Sequence, residues 1–173
     1  GNKFAKEALK KGCKYAIVDE EIDERNERVI LVEDCLHTLQ KLASFHRKKL
    51  SIPIIGITGS NGKTTSKELI YSVLSSKYNT HATKGNLNNH IGVPLSILEI
   101  CEKTEISIIE MGANHIKEIS LLSNIAKPNY GIITNIGKAH LKGFGSIDGV
   151  IKAKGELYEN IKLNNHQIFL NND

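Results

Sequence analysis

The sequence predicts an α/β protein with a mostly parallel sheet and crossover helices. Short β-branched runs such as those at 54–57 and 106–109 alternate with longer amphipathic stretches, as in successive βα units. One of those runs passes through a glycine-rich turn at 59–62 directly into a helical stretch. With 173 residues, 40% hydrophobic and 24% charged, the chain can build a core and holds one domain, or one domain plus part of a neighbour.

The elements follow in order. Residues 3–11 read as a helix stopped by Gly12, which can adopt the left-handed cap. Residues 15–18 and 29–32 read as short strands around an acidic connection. Asp34 is placed to cap a helix in which Leu36, Leu39, Leu42, Ala43 and Phe45 fall near one face. The last turn of that helix carries His46, Arg47, Lys48 and Lys49, which complement its negative end, and Pro53 marks the break after it. A strand at 54–58, a turn at 59–62 and a helix at 63–76 come next, with Leu69, Ile70, Val73 and Leu74 expected inside. Further strands are expected at 80–83, 106–111, 130–135 and 167–170, and helices at 94–99, 116–126 and 147–160.

Composition excludes several classes. The longest apolar runs fall far short of the ~20 residues that cross a bilayer, so no membrane segment is expected. Three widely spaced cysteines (Cys13, Cys35, Cys101) form no CxxC and suit a reducing cytoplasm. The net charge of +4 is mild, and no basic stripe interleaved with aromatics points to nucleic acid.

The most informative segment is Gly56-Ile-Thr-Gly-Ser-Asn-Gly-Lys-Thr-Thr65. A strand, a glycine turn and a helix in immediate succession make backbone N–H groups and a helix N-terminus converge on one point, which holds a phosphate chain. Lys63 would set a cation on the outer phosphates and the Thr64 hydroxyl would sit where Mg²⁺ binds. A strict G-x4-G-K-[ST] pattern needs glycine where Ile57 stands, so the match is the shorter Gly59-x-x-Gly62-Lys63-Thr64. An ordinary glycine turn with an exposed lysine is the plainer alternative. Glu110 ends the apolar run 106–109, and a carboxylate at a strand's C-terminal edge lies beside the ligand crevice of an open α/β sheet.

TGSNGKTT at 58–65 resembles the ATP loop of the Mur ligases, bacterial enzymes that build the peptide stem of peptidoglycan. TKGNLNNHIGVPL at 83–95, IEMG at 109–112 and NIGKAHLKGFGS at 135–146 are similar to the branch that adds D-alanyl-D-alanine. His90 and Lys142 depart from it, standing where acidic residues are common. The resemblance implies residues 1–34 as a remnant of an N-terminal UDP-substrate-binding domain and 35–173 as an incomplete central ATP-binding domain. A C-terminal domain would then be absent, and the segment alone would not ligate.

The implied activity is an ATP-dependent amide ligase working through an acyl phosphate, with ATP and Mg²⁺ as cofactors. Its substrates would be UDP-N-acetylmuramoyl-tripeptide and D-alanyl-D-alanine, and a cytoplasmic monomer is expected. Thr58, Gly59, Ser60, Asn61, Gly62, Lys63, Thr64, Thr65 and Asn135 would bind ATP. Lys63, Glu110, His140 and Lys154 would be catalytic, with Thr64, Glu110, His140 and Lys154 at the metal, the last as a carbamate. Asn86, Asn88 and Asn89, each both donor and acceptor, would meet the UDP-linked substrate. The alternatives are another ligase of the superfamily (meso-diaminopimelate- or lysine-adding, or folylpolyglutamate synthetase) or a nucleotide-binding module without ligase activity.

Overall fold

The computed structural model describes residues 1–22, 26–137 and 141–170, with the backbone alone at 141 and 142. A short 3₁₀ turn leads into α1 (Ala5–Lys10), then β1 (Ala16–Val18), β2 (Val29–Leu31) and α2 (Cys35–Lys49). The main run is β3 (Ile54–Thr58), α3 (Lys63–Leu74), β4 (Thr80–Ala82), α4 (Gly92–Leu98), β5 (Ile106–Glu110), α5 (Glu118–Ala126) and β6 (Tyr130–Ile133). It closes with α6 (Leu141–Phe144), α7 (Ile147–Leu163) and β7 (Gln167–Phe169).

The α/β expectation holds. Five strands pair in the order β4-β5-β3-β6-β7, every pair parallel, while β1 and β2 form a separate parallel pair with Ala16 opposite Val29. Central β3 is buried at every residue. Successive side chains of a strand point to opposite faces, so Ile54 joins one core with Ile109, Val93, Leu122 and Leu157, and Ile55 and Ile57 join another with Ile108. Chain order places β4 and β5 on one side of β3 and β6 on the other. The crevice at such a switch opens at the C-terminal strand ends, where residues 59–62 and 110–112 lie.

Two helix faces differ from the expectation. On α3, Leu69 and Val73 are 64% and 72% exposed, whereas Ile70, Leu74 and the aliphatic stem of Lys67 turn inward. Positions 67, 70 and 74 share a stripe at helical spacing, and burial of Lys67 is possible because its ammonium donates to the Thr83 carbonyl (2.6 Å) and pairs with Glu68 (2.9 Å). On α2, Asp34 does cap, accepting the His37 N–H, but Phe45 and Leu42 are exposed and the buried residues are Ala43 and Arg47.

Arg47 explains that rotation. Its guanidinium donates to the carbonyls of Ala126 (2.8 Å), Lys127 (3.0 Å), Leu50 (3.0 Å) and Ile52 (3.3 Å) and to Asn129 Oδ1 (3.1 Å). Asn129 Oδ1 also accepts the Ile54 N–H, so one cation ties the end of α5 to the start of β3. Burial pushes the Arg47 pKa down, but five acceptors hold the cation. Replacing Arg47 by Met strands those acceptors and is expected to cost about 3 kcal/mol in urea unfolding; a loss within about 0.5 kcal/mol, the usual surface range, would contradict this role.

Candidate active site

The turn after β3 is held from outside rather than by itself. The Ser60 N–H donates to the Asn135 carbonyl (3.1 Å) and the Asn61 N–H to Asn135 Oδ1 (2.9 Å). Thr134 Oγ1 donates to the Asn61 carbonyl (2.6 Å), and Ser60 Oγ accepts from the Gly137 N–H (2.9 Å). Asn135 is therefore spent on shaping the turn. Gly59, at φ +149°, lies so near this strap that a Cβ would stand 2.0 Å from Thr134 Oγ1. Gly62, at φ +74°, opens α3, and the first amides of that helix have no carbonyl one turn back. Thr58, fully buried, donates its hydroxyl to the Met111 carbonyl (2.8 Å), so it braces β3 against the end of β5.

At the end of β5 the Glu110 carboxylate is 1% exposed. Its Oε2 accepts the Thr64 hydroxyl (2.9 Å) and its Oε1 the Asn88 amide (2.8 Å), while the Glu110 N–H donates to Thr83 Oγ1 (3.0 Å). A hydroxyl and a carboxylate facing each other at a helix start are hard oxygen donors of the kind Mg²⁺ takes, with phosphate and water completing its six positions. Among the described residues no group of three or more His, Cys, Asp or Glu gathers for a metal. His140, the other expected ligand, lies outside the described residues.

Beside the pair opens a cavity of about 380 Å³ lined by Lys63, Asn86, Asn88, Asn89, Glu118 and Lys154, among others. The sequence thus predicts five of its walls. Lys63 Nζ donates to the Gly59 carbonyl (2.9 Å), curling over the turn. Thr65 is exposed one step along α3. Asn89 Oδ1 accepts the N–H groups of Ile91 (3.1 Å) and Gly92 (2.9 Å), capping α4, so only its amino group is free for a ligand. Asn86 is exposed and makes no side-chain hydrogen bond among the described residues.

Lys154 is 2% exposed, and its ammonium lies 5.4 Å from the centre of the Phe144 ring, with no hydrogen bond among the described residues. Burial, reinforced by the Lys63 cation, lowers its pKa to about 8, while Glu118 and Glu156 pull the other way. These two acids carry no assigned role in the sequence reading. Glu156 accepts the N–H groups of Lys117 (2.6 Å) and Ser120 (2.8 Å), capping α5 from 36 to 39 residues away, a distance no local pattern reports. Glu118 is partly buried, which alone would raise its pKa, but the N–H groups of Asn114 (2.7 Å) and His115 (3.1 Å) hold it below the usual range.

A parallel sheet thus carries a clamped glycine turn, a hydroxyl–carboxylate pair and a lysine-walled cavity at its C-terminal edge, an arrangement of the α/β ligand-crevice class. Residues 57–173 match the Mur ligase middle domain, and the chain belongs to the Mur ligase family. It is 41% identical to the UDP-N-acetylmuramoyl-tripeptide–D-alanyl-D-alanine ligase of Bacillus subtilis (strain 168), covering 100% of this chain and 38% of that one. It is 44% identical to the ligase of the same name from Synechocystis, over 91% of this chain and 35% of that one. Among solved structures, MurF from Acinetobacter baumannii superposes with a TM-score of 0.86 at 36% identity, covering 96% of this chain and 41% of that one. MurF ligase from Thermotoga maritima in complex with ADP gives 0.83 at 37% identity, over 92% of this chain and 37% of that one. The chain therefore spans less than half the length of these relatives.

The Lys154 pKa has a sign that can be measured. Near 8 in the fold against 10.5 in an ordinary lysine, it means the unfolded chain binds the extra proton between those values. The cost of the buried ammonium is full below about pH 8 and fades as pH rises toward 10.5. Thermal melts of Lys154→Met should thus lie above wild type at pH 7, with the gap closing through that window. A gap independent of pH would contradict the lowered pKa.

Proposed function

We propose that this chain is part of an ATP-dependent amide ligase that joins D-alanyl-D-alanine to UDP-N-acetylmuramoyl-tripeptide in peptidoglycan synthesis. One observation carries the reading: the Thr64 hydroxyl, two residues past the Gly59–Gly62 turn, meets the Glu110 carboxylate, and their chain neighbours Lys63 and Gly112 line a cavity shared with Lys154. The names of the relatives support the substrates, and the ADP complex of a structural neighbour supports the nucleotide.

The chemistry sets the demands. A substrate carboxylate would attack the γ-phosphate of ATP and expel ADP; the dipeptide's amino group would then attack the acyl carbon of the acyl phosphate, lose a proton and expel phosphate. Two anions must approach, so cationic screening dominates the barrier. The first amides of α3 would take the β- and γ-phosphates, and Lys63, released from the Gly59 carbonyl, would follow the transferred phosphoryl group. Thr64 and Glu110 fit Mg²⁺, which when bound neutralises phosphate charge. Asn86 and the amino group of Asn89 would orient the UDP-linked substrate across the cavity.

Lys154 would serve the same end after carbamylation. A lysine with a pKa of about 8 holds far more free amine near neutrality than an ordinary one, and that amine adds to CO₂ with loss of a proton. The carbamate would turn a cation beside Lys63 into an anion that attracts it and offers oxygen to the metal. His140 would be a second metal ligand.

Residues 1–34 would be the end of a UDP-substrate-binding domain, supported by their own strand pair and their own small core of Ala5, Ala16 and Val18. No described helix is long and apolar enough to cross a membrane. With those substrates the reaction would be cytoplasmic.

The test is phosphate release by the full-length gene product with ATP, UDP-N-acetylmuramoyl-tripeptide and D-alanyl-D-alanine. Release is expected only when all three are present; release without the dipeptide, or none at all, overturns the reading. Lys63→Ala should lower kcat about 10²–10³-fold with an unchanged circular dichroism spectrum.

A further inference from the structure

We propose that Asn88 is a positioning residue for the metal carboxylate rather than a direct substrate contact. It occupies one oxygen of Glu110 and leaves the other facing Thr64, so the 85–89 loop and a divalent cation share one carboxylate. The inference rests on the reading of Thr64 and Glu110 as the Mg²⁺ pair.

Three contacts fix the arrangement. Asn88 Nδ2 donates to Glu110 Oε1 at 2.8 Å, while Oε2 takes the Thr64 hydroxyl at 2.9 Å. The Asn88 carbonyl accepts the Gly112 N–H at 2.8 Å, so the loop hangs on the chain just beyond Glu110 by backbone as well as side chain. The flat amide of Asn88 also lies against Gly112, where a Cβ would stand 2.8 Å from Asn88 Oδ1 and 2.9 Å from its Cγ. The amide therefore has little freedom to turn from Glu110 toward the cavity.

The chemistry of those groups gives Asn88 its task. A carboxylate oxygen that receives an N–H is a poorer cation ligand and is held in one plane. With Oε1 so occupied, Glu110 presents a single oxygen, which suits the strict octahedral geometry of Mg²⁺ better than a bidentate grip. Partners of this kind that orient a ligating carboxylate commonly change metal affinity 10–100-fold when removed. Because the same amide belongs to the loop bearing Asn86 and Asn89, a ligand that moves the loop moves Oε1, and a cation that draws on Glu110 draws on the loop. Coupling of this sort is reciprocal.

The experiment uses the full-length gene product and Mn²⁺, followed by electron paramagnetic resonance in the presence of ADP and without other substrates. Asn88→Ala should weaken Mn²⁺ binding about tenfold or more. Gly112→Ala, whose added methyl crowds Asn88 off Glu110, should weaken it as well, and decides the matter if Asn88→Ala does not fold. Asn86→Ala, which removes a cavity wall without a bond to Glu110, should raise KM for the UDP-linked substrate and leave Mn²⁺ affinity unchanged. Mn²⁺ affinity within about twofold of wild type in both Asn88→Ala and Gly112→Ala, with only KM raised, would overturn the proposal and make Asn88 a substrate contact. A wild-type protein that binds no Mn²⁺ with ADP would overturn the metal reading itself, and this inference with it.

Discussion

A carboxyl group withdrawn from water needs a partner for each of its oxygens, and Glu110 finds them on two different parts of the chain. Thr64 comes from the start of α3 and Asn88 from the loop before α4, 46 and 22 residues away. Three segments that the sheet brings to one edge are thereby locked in register. The glycine turn, the 85–89 loop and the end of β5 cannot move independently without leaving a buried carboxylate oxygen unpartnered. The parallel sheet makes this possible, because its C-terminal strand ends all open on the same side.

Near that carboxylate the protein arranges opposed charges around one cavity. Lys63 and Lys154 face one cavity; burial and then the Lys63 cation lower the Lys154 pKa, while Glu118 and Glu156 offset part of that cost. Both acids are themselves held by backbone N–H groups at the entrance to α5. The cavity thus brings two lysines and the Glu118 carboxylate together, with Glu156 acting on Lys154 from its own helix. Glu156 and Lys154 lie two residues apart on α7, so the helix that delivers the lysine also secures the opposite wall.

Much of this was legible in the residues. The glycine turn between a strand and a helix, and an acid at the end of an apolar run, are local patterns with local causes, and the structure places Lys63, Thr64 and Glu110 together as those patterns imply. The asparagines of the 85–89 loop were legible as a group but not one by one. Only their surroundings show that Asn88 serves Glu110, that Asn89 caps α4 and that Asn86 is left open. Arg47 read as one of four basic residues closing a helix, and nothing nearby in the chain announces the carbonyls of Ala126 and Lys127 that bury it.

By itself, then, the sequence determined the alternation of strands and helices, the parallel sheet and the glycine turn that joins β3 to α3, because each depends on residues a few positions apart. The tertiary structure alone decided which face of α2 and α3 turns inward, which asparagine is spent on scaffolding, and how far Lys154 is pushed toward its neutral form. Those outcomes depend on donors, acceptors and charges brought near by folding from tens of residues away, and no local spacing encodes them.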